Sequence, residues 1–249
     1  MELFLDLLRS VIYGIIEGIT EWLPISSTGH MILAEQVLKF SLSAEFMEMF
    51  RVVIQLGAIL AVVVLYFKKL WPFCMDNGRD SGLAKFIRWP VMRLWFKIIV
   101  ACLPAAVLGL LLDDWMDAHL YNSVVVAIML IVYGIAFILI ERRPRVPTTT
   151  KLSRITYKQA IIVGLWQVLA LIPGTSRSGA TIIGGLLCGM SRACASQFTF
   201  FLAIPVMLGA SGLKVLKYGL NYTAAQVGVM AVGMVTAFVV SLFCIRFLM

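Results

Sequence analysis

Glu17 and Glu21 stand four residues apart in a stretch that otherwise reads as membrane helix, VIYGIIEGITEWLPISSTGH, residues 11–30. A carboxylate at the bilayer centre costs roughly 2.5–3.5 kcal/mol even on lenient insertion scales. Two at this spacing share one helical face and repel each other. A chain keeps such a pair only where a divalent cation, a basic partner, a shared proton or a water-filled cavity offsets the cost. Paired carboxylates are hard oxygen ligands suited to Mg²⁺ or Ca²⁺, and Mg²⁺ sites often join one or two of them to substrate phosphates. The stretch then breaks at Pro24 and continues into Ser26, Ser27 and His30. A serine near a histidine can serve as nucleophile with its base, or the histidine can act alone as base, acid or nucleophile. The plainer alternative is that Ser26, Ser27 and Thr28 cap a helix starting near Gly29. It leaves both glutamates unexplained.

A second constellation is Pro173-Gly-Thr-Ser-Arg-Ser-Gly-Ala-Thr181. A Gly- and Ser-rich break opening onto a helix offers free backbone N–H groups and a positive dipole end, which together form an anion site. The amides of 174–179, from Gly174 through Thr175, Ser176 and Ser178, would line it. Arg177 adds a fork-shaped donor matched to phosphate oxygens and at membrane depth needs an anionic partner. Its structural alternative is a salt bridge to Glu17 or Glu21. Gln167 either hydrogen-bonds within the site or makes a polar helix contact. Glu35, Glu45, Glu48 and Arg51 fall near the membrane edge and read as surface pairs, and His119 as solvated. Carboxylates, hydroxyls, one histidine and an arginine cradle suit a phosphorylated amphiphile, headgroup in a polar pocket and tail in lipid. Acid–base and metal groups together favour phosphoryl hydrolysis over simple binding.

The elements that must position these residues are membrane helices. The 249 residues are 61% hydrophobic and 14% charged, with a mean hydropathy of +0.96. Long continuous apolar runs indicate an all-α integral membrane protein rather than a barrel. Spans are expected over about 52–68, 93–112, 120–140, 196–216 and 224–248. Two further segments, about 2–40 and 157–190, are apolar but interrupted, and the short helix after each break suits a re-entrant hairpin. Lys68, Lys69, Arg79, Lys85, Arg88, Arg93 and Lys97 crowd one loop against Asp76 and Asp80, and Arg142, Arg143, Arg145, Lys151, Arg154 and Lys158 another against Glu141. With the acidic turn at 113–117 between them, both basic loops are cytoplasmic. Lys214 and Lys217 fit that scheme less well. The net charge of +8 follows from these loops and is no sign of nucleic-acid binding. Cys74, Cys102, Cys188, Cys194 and Cys244, without a CxxC pair, read as small apolar residues, and no cleavable signal peptide is expected.

The interrupted segments echo each other: Gly14-x-x-Glu17 then Pro24-x-x-Ser27, against Gly164-x-x-Gln167 then Pro173-x-x-Ser176. Three spans between the copies make them enter from opposite faces, the pattern of an inverted repeat whose broken helices build a midplane site. The whole chain is read as a single transmembrane domain over 1–249, with repeat one about 1–141 and repeat two about 155–249. The same architecture is used by transporters, so a transporter or flippase of a phosphorylated lipid or other anion is the competing class.

EGITEWLPISSTGH (17–30) and PGTSRSGAT (173–181) resemble the two signature motifs of the bacterial undecaprenyl-diphosphatase family, and QLGAILAVV (55–63) and FTFFLAIPVMLGA (198–210) are similar to it as well. The resemblance covers nearly the whole chain. It implies removal of the terminal phosphate of undecaprenyl diphosphate, which recycles the lipid carrier of peptidoglycan precursors, and a link to bacitracin resistance. It implies that Glu17 and Glu21 support metal-dependent catalysis, that Ser27 and His30 take part in phosphoryl transfer, and that Ser176, Arg177 and Thr181 hold the diphosphate. It further implies an inner-membrane protein whose site opens to the outer, periplasmic face; a homodimer is left open. One departure is that family members usually carry a further C-terminal span, whereas the second half here has two spans against three in the first.

Overall fold

The computed structural model describes residues 2–75, 78, 82–120, 122–142, 146–219 and 221–249. Among these the chain is helical throughout, with two isolated bridges, Phe73 to Ile87 and Thr149 to Met190. The helices are α1 Glu2–Thr20, α2 Ser27–Glu35, α3 Ala44–Leu70, α4 Trp89–His119, α5 Ser123–Glu141, α6 Tyr157–Val168, α7 Arg177–Leu187, α8 Arg192–Tyr218 and α9 Ala224–Leu248.

Five of them are long and apolar enough to cross a bilayer: Glu45–Leu70, Trp89–Leu112, Ser123–Glu141, Arg192–Lys217 and Ala224–Leu248. These match the five expected spans. Their outward faces stay apolar: α5 buries only Val126 and Tyr133, while Ile131 is 63% and Phe243 on α9 69% exposed. So wide an apolar belt is a lipid-facing surface. The remaining apolar side chains meet in the interior. Trp22, Ile98, Phe198 and Phe201 anchor one cluster, and Tyr13, Phe46, Phe50 and Ile54 a second, in which Tyr13 stacks on Phe40 at 5.4 Å between ring centres.

Both short helices predicted after the breaks are present, as α2 and α7. The first member of each pair packs hard against a long helix. A Cβ on Gly14 of α1 would lie 2.7 Å from the Gly233 carbonyl oxygen of α9, and one on Gly164 of α6 2.4 Å from that of Ala101 on α4. Two expectations need correction. The acidic stretch 113–117 is not a turn but the last part of α4, which runs on to His119 because no residue there breaks a helix; Asn122 instead caps α5 through Val125 N–H. Lys68 and Lys69 belong to α3, and Arg93 and Lys97 to α4. The basic loop is therefore shorter than expected. Asp76, Arg79, Asp80, Arg143 and Arg145 lie outside the described residues.

Candidate active site

The helix α1 closes with Glu21 N–H bonded to the Glu17 carbonyl at 3.0 Å, after which Pro24 ends helical geometry. Ser26 then takes φ 66, alone among described non-glycine residues at positive φ, a conformation that costs an L-residue roughly 1–2 kcal/mol. In this pose it is the cap of α2: its Oγ accepts from Gly29 N–H at 3.2 Å. Ser27 thereby becomes the first helical residue, and its hydroxyl donates to Glu21 Oε2 at 2.6 Å. His30 sits one turn on. Its Nδ1 donates to the Ser26 carbonyl at 2.7 Å, since a carbonyl can only accept.

The second break is built alike. Gly174 has φ 88, and a Cβ there would meet the Val126 carbonyl oxygen at 2.6 Å. Ser176 caps α7 through Gly179 N–H at 3.0 Å, so Arg177 is first in its helix. The Arg177 guanidinium pairs with Glu21 Oε1 and reaches the Thr199 carbonyl at 3.4 Å. Ser27 and Arg177 therefore hold the two oxygens of one carboxylate. Ser178 adds a stitch, its hydroxyl 3.1 Å from the carbonyls of both Glu21 and Leu23.

Glu21, Ser26, Ser27, Thr175, Ser176 and Arg177 line one cavity of about 950 Å³. Among the other expected site residues, Gly174 shapes the break. Ser178 is committed to α1–α2 backbone, and the Thr181 hydroxyl lies 2.9 Å from both the Arg177 carbonyl and the Thr199 hydroxyl. His30 and Glu17 are not part of the cavity wall. Glu17 is fully buried, with Ser27 beside it and no well-formed hydrogen bond to either carboxylate oxygen. A buried ion left so is costly. This orphaned carboxylate beside Glu21 fits a divalent cation. Among the described residues no group of three or more His, Cys, Asp or Glu is gathered, so phosphate oxygens would have to complete any such ligand set.

Sequence reasoning missed the cavity's charged end. Glu48, Arg51, Lys214 and Lys217 line the same space, with Lys214 Nζ 3.1 Å from Glu48 and Arg51 2.5 Å from Glu35. The awkward position of Lys214 and Lys217 under the charge rule was the available signal. Thr199, fully buried on α8 behind Thr181, carried none.

A helical, polytopic scaffold with a carboxylate–guanidinium–hydroxyl cluster in the wall of a part-apolar cavity defines a membrane protein suited to an anionic amphiphile. Residues 10–249 match the family described as bacitracin resistance protein BacA. An undecaprenyl-diphosphatase of Enterococcus faecalis is 55% identical over 99% of this chain and 88% of its own. Proteins of the same name from Desulfitobacterium hafniense and Streptococcus thermophilus are each 56% identical, over 98% and 100% of this chain and 87% and 86% of their own. The chain belongs to the BacA family and is a multi-pass membrane protein.

Proposed function

We propose that this protein hydrolyses undecaprenyl diphosphate to undecaprenyl phosphate and inorganic phosphate. The Ser27–Glu21–Arg177 cluster carries the reading: a hydroxyl poised 2.6 Å from a carboxylate that a guanidinium also holds. Arg177 and the amides that open α7, those of Ser176, Arg177 and Ser178, take the diphosphate. As Arg177 turns to the substrate, Glu21 is released to accept the Ser27 proton. Ser27 Oγ forms a bond to the terminal phosphorus while the anhydride P–O bond breaks, its electrons staying on the undecaprenyl phosphate oxygen. Water then cleaves the phosphoseryl ester and frees inorganic phosphate. This pairing favours Ser27 over His30 as nucleophile, because Ser27 lines the cavity with its hydroxyl on Glu21 and His30 does not line it. Glu17 and Glu21 would hold Mg²⁺ or Ca²⁺, which neutralises phosphate charge when bound.

An inverted repeat underlies the site in this reading. A constant offset of 150 residues relates Gly14 to Gly164, Glu17 to Gln167, cap Ser26 to cap Ser176 and Gly29 to Gly179. α1 packs on α9 as α6 packs on α4, and these pairs exchange when α1, α2, α3 and α4 are matched with α6, α7, α8 and α9. Matched by their caps, Ser27 corresponds to Arg177 and not, as the prolines suggest, to Ser176. The cavity opens to the outer face. Its lining reaches Glu48 near the start of α3, Met116 near the end of α4 and Lys217 at the end of α8, away from the basic residues at the α3–α4 connection.

The test is phosphate release from undecaprenyl diphosphate by purified protein in detergent, with and without EDTA, beside Glu21→Gln. Release is expected to fall at least a hundredfold in the variant and on chelation. Equal release by both proteins would sink the hydrolase reading; carrier movement in vesicles without release would replace it with a flippase.

A further inference from the structure

We infer that Gln167 binds the substrate, its carboxamide N–H donating a hydrogen bond to a non-bridging phosphate oxygen of the diphosphate headgroup. The inference rests on the diphosphatase reading above and extends it to a residue of the second half.

Gln167 is 2% exposed, and neither Oε1 nor Nε2 has a hydrogen-bond partner. Nine in ten or more buried polar groups in proteins are satisfied, and leaving one unmade is expensive. A long amide in that state is therefore held for something that arrives. It lines the same cavity as Glu21, Ser27 and Arg177, so the arriving group and the substrate headgroup share one space. The α4 side of this cavity offers Cys102, Ala105, Ala106 and Gly109, none of which carries a strong side-chain donor. Gln167 is the one strong side-chain donor that α6 contributes to the cavity wall.

The residue type also fits. Its counterpart at the 150-residue offset is Glu17. A further carboxylate here, added to the Glu21 that Arg177 already offsets, would repel an incoming diphosphate, whereas an amide donates without charge. The amide oxygen could instead serve a cation, and the two uses separate under substitution.

The experiment compares full-length wild type, Gln167→Met and Gln167→Glu in detergent. It measures KM, kcat, the half-activating Mg²⁺ concentration and the thermal midpoint without substrate. Methionine keeps the bulk and loses no bond in the free protein, so its midpoint is expected to equal or exceed the wild type's. Its kcat/KM is expected to fall about tenfold, mostly through KM, as for one hydrogen bond to a charged acceptor. Gln167→Glu is expected to lose at least a further tenfold with no gain in Mg²⁺ affinity. Wild-type kinetics in Gln167→Met would overturn the inference, and so would a lower midpoint, which would assign the amide a structural partner. Retained kcat with tighter Mg²⁺ activation in Gln167→Glu would overturn it in favour of a cation ligand. Failure of wild type to release phosphate would instead remove the diphosphatase reading beneath it.

Discussion

The two broken segments share a backbone plan and divide the chemistry. Each is a glycine-anchored helix, a proline break and a serine-capped short helix. The α1–α2 segment brings both carboxylates and the Ser27 hydroxyl; α6–α7 brings Arg177 and the uncharged Gln167. The Glu21 charge is thus offset across the segments, by Arg177, and not within its own. Glu21 alone would be an uncompensated anion at membrane depth, and Arg177 alone an uncompensated cation. Docking the two segments and completing the site are the same event, held by the Arg177–Glu21 pair and by Ser178 on the Glu21 and Leu23 carbonyls.

The strongest way to break this balance is to remove one partner. The side chains of Arg177 and Glu21 are only 14% and 7% exposed, so Arg177→Met leaves a buried, unpaired carboxylate and is expected to cost about 3–5 kcal/mol. It should also lower phosphate release by about a thousandfold, since it deletes the guanidinium proposed to meet the transferring group. Adding Glu21→Gln removes the orphaned charge. The double variant should recover most of the thermal stability and none of the turnover. A double variant as unstable as Arg177→Met would mean that charge balance does not couple the segments.

Much of this division was visible in the linear chain. Five apolar runs, two proline breaks and the glutamate pair each have local signatures, and a salt bridge from Arg177 to Glu17 or Glu21 was one of two readings; the structure places it on Glu21. What escaped depends on route. Ser26 and Ser27 are interchangeable as caps in local sequence, and only the path out of Pro24, which puts Ser26 at positive φ, selects between them. That choice turns Ser27 toward Glu21, six residues back, instead of His30, three residues on. The charged cavity end joins Glu48 to Lys214 across 166 residues, a separation no periodicity reports. The acidic end of α4 looked like a turn because charge marks the edge of a span, yet charge does not break a helix.

A gentler comparison tests the anchoring glycines. The Gly164 position meets fixed backbone at 2.4 Å, whereas Gly14 meets a carbonyl oxygen and the Thr236 side chain, both at 2.7 Å. Overpacking of this kind costs about 1–3 kcal/mol. Gly164→Ala should therefore lower the thermal midpoint in detergent more than Gly14→Ala does. The reverse order would indicate that α1 is the more tightly seated helix.

The smallest effect separates the two caps by sign. Ser176 caps α7 at φ −68, an unstrained value, and its hydroxyl also lies 3.1 Å from that of Ser178. Glycine there loses those contacts and adds freedom to the unfolded chain, so Ser176→Gly should destabilise by about 0.5–1 kcal/mol. Ser26 makes the equivalent cap at φ 66, where glycine adopts the backbone without penalty. The same lost cap and added unfolded-chain freedom cost about 0.5–1 kcal/mol here, less than the roughly 1–2 kcal/mol of strain that glycine relieves. Ser26→Gly should therefore raise the thermal midpoint, by about 1–3 °C for a chain of this size, while Ser176→Gly lowers it. Shifts of the same sign in both would show that the pose of Ser26 is not strained, and that the two breaks differ in chemistry but not in backbone cost.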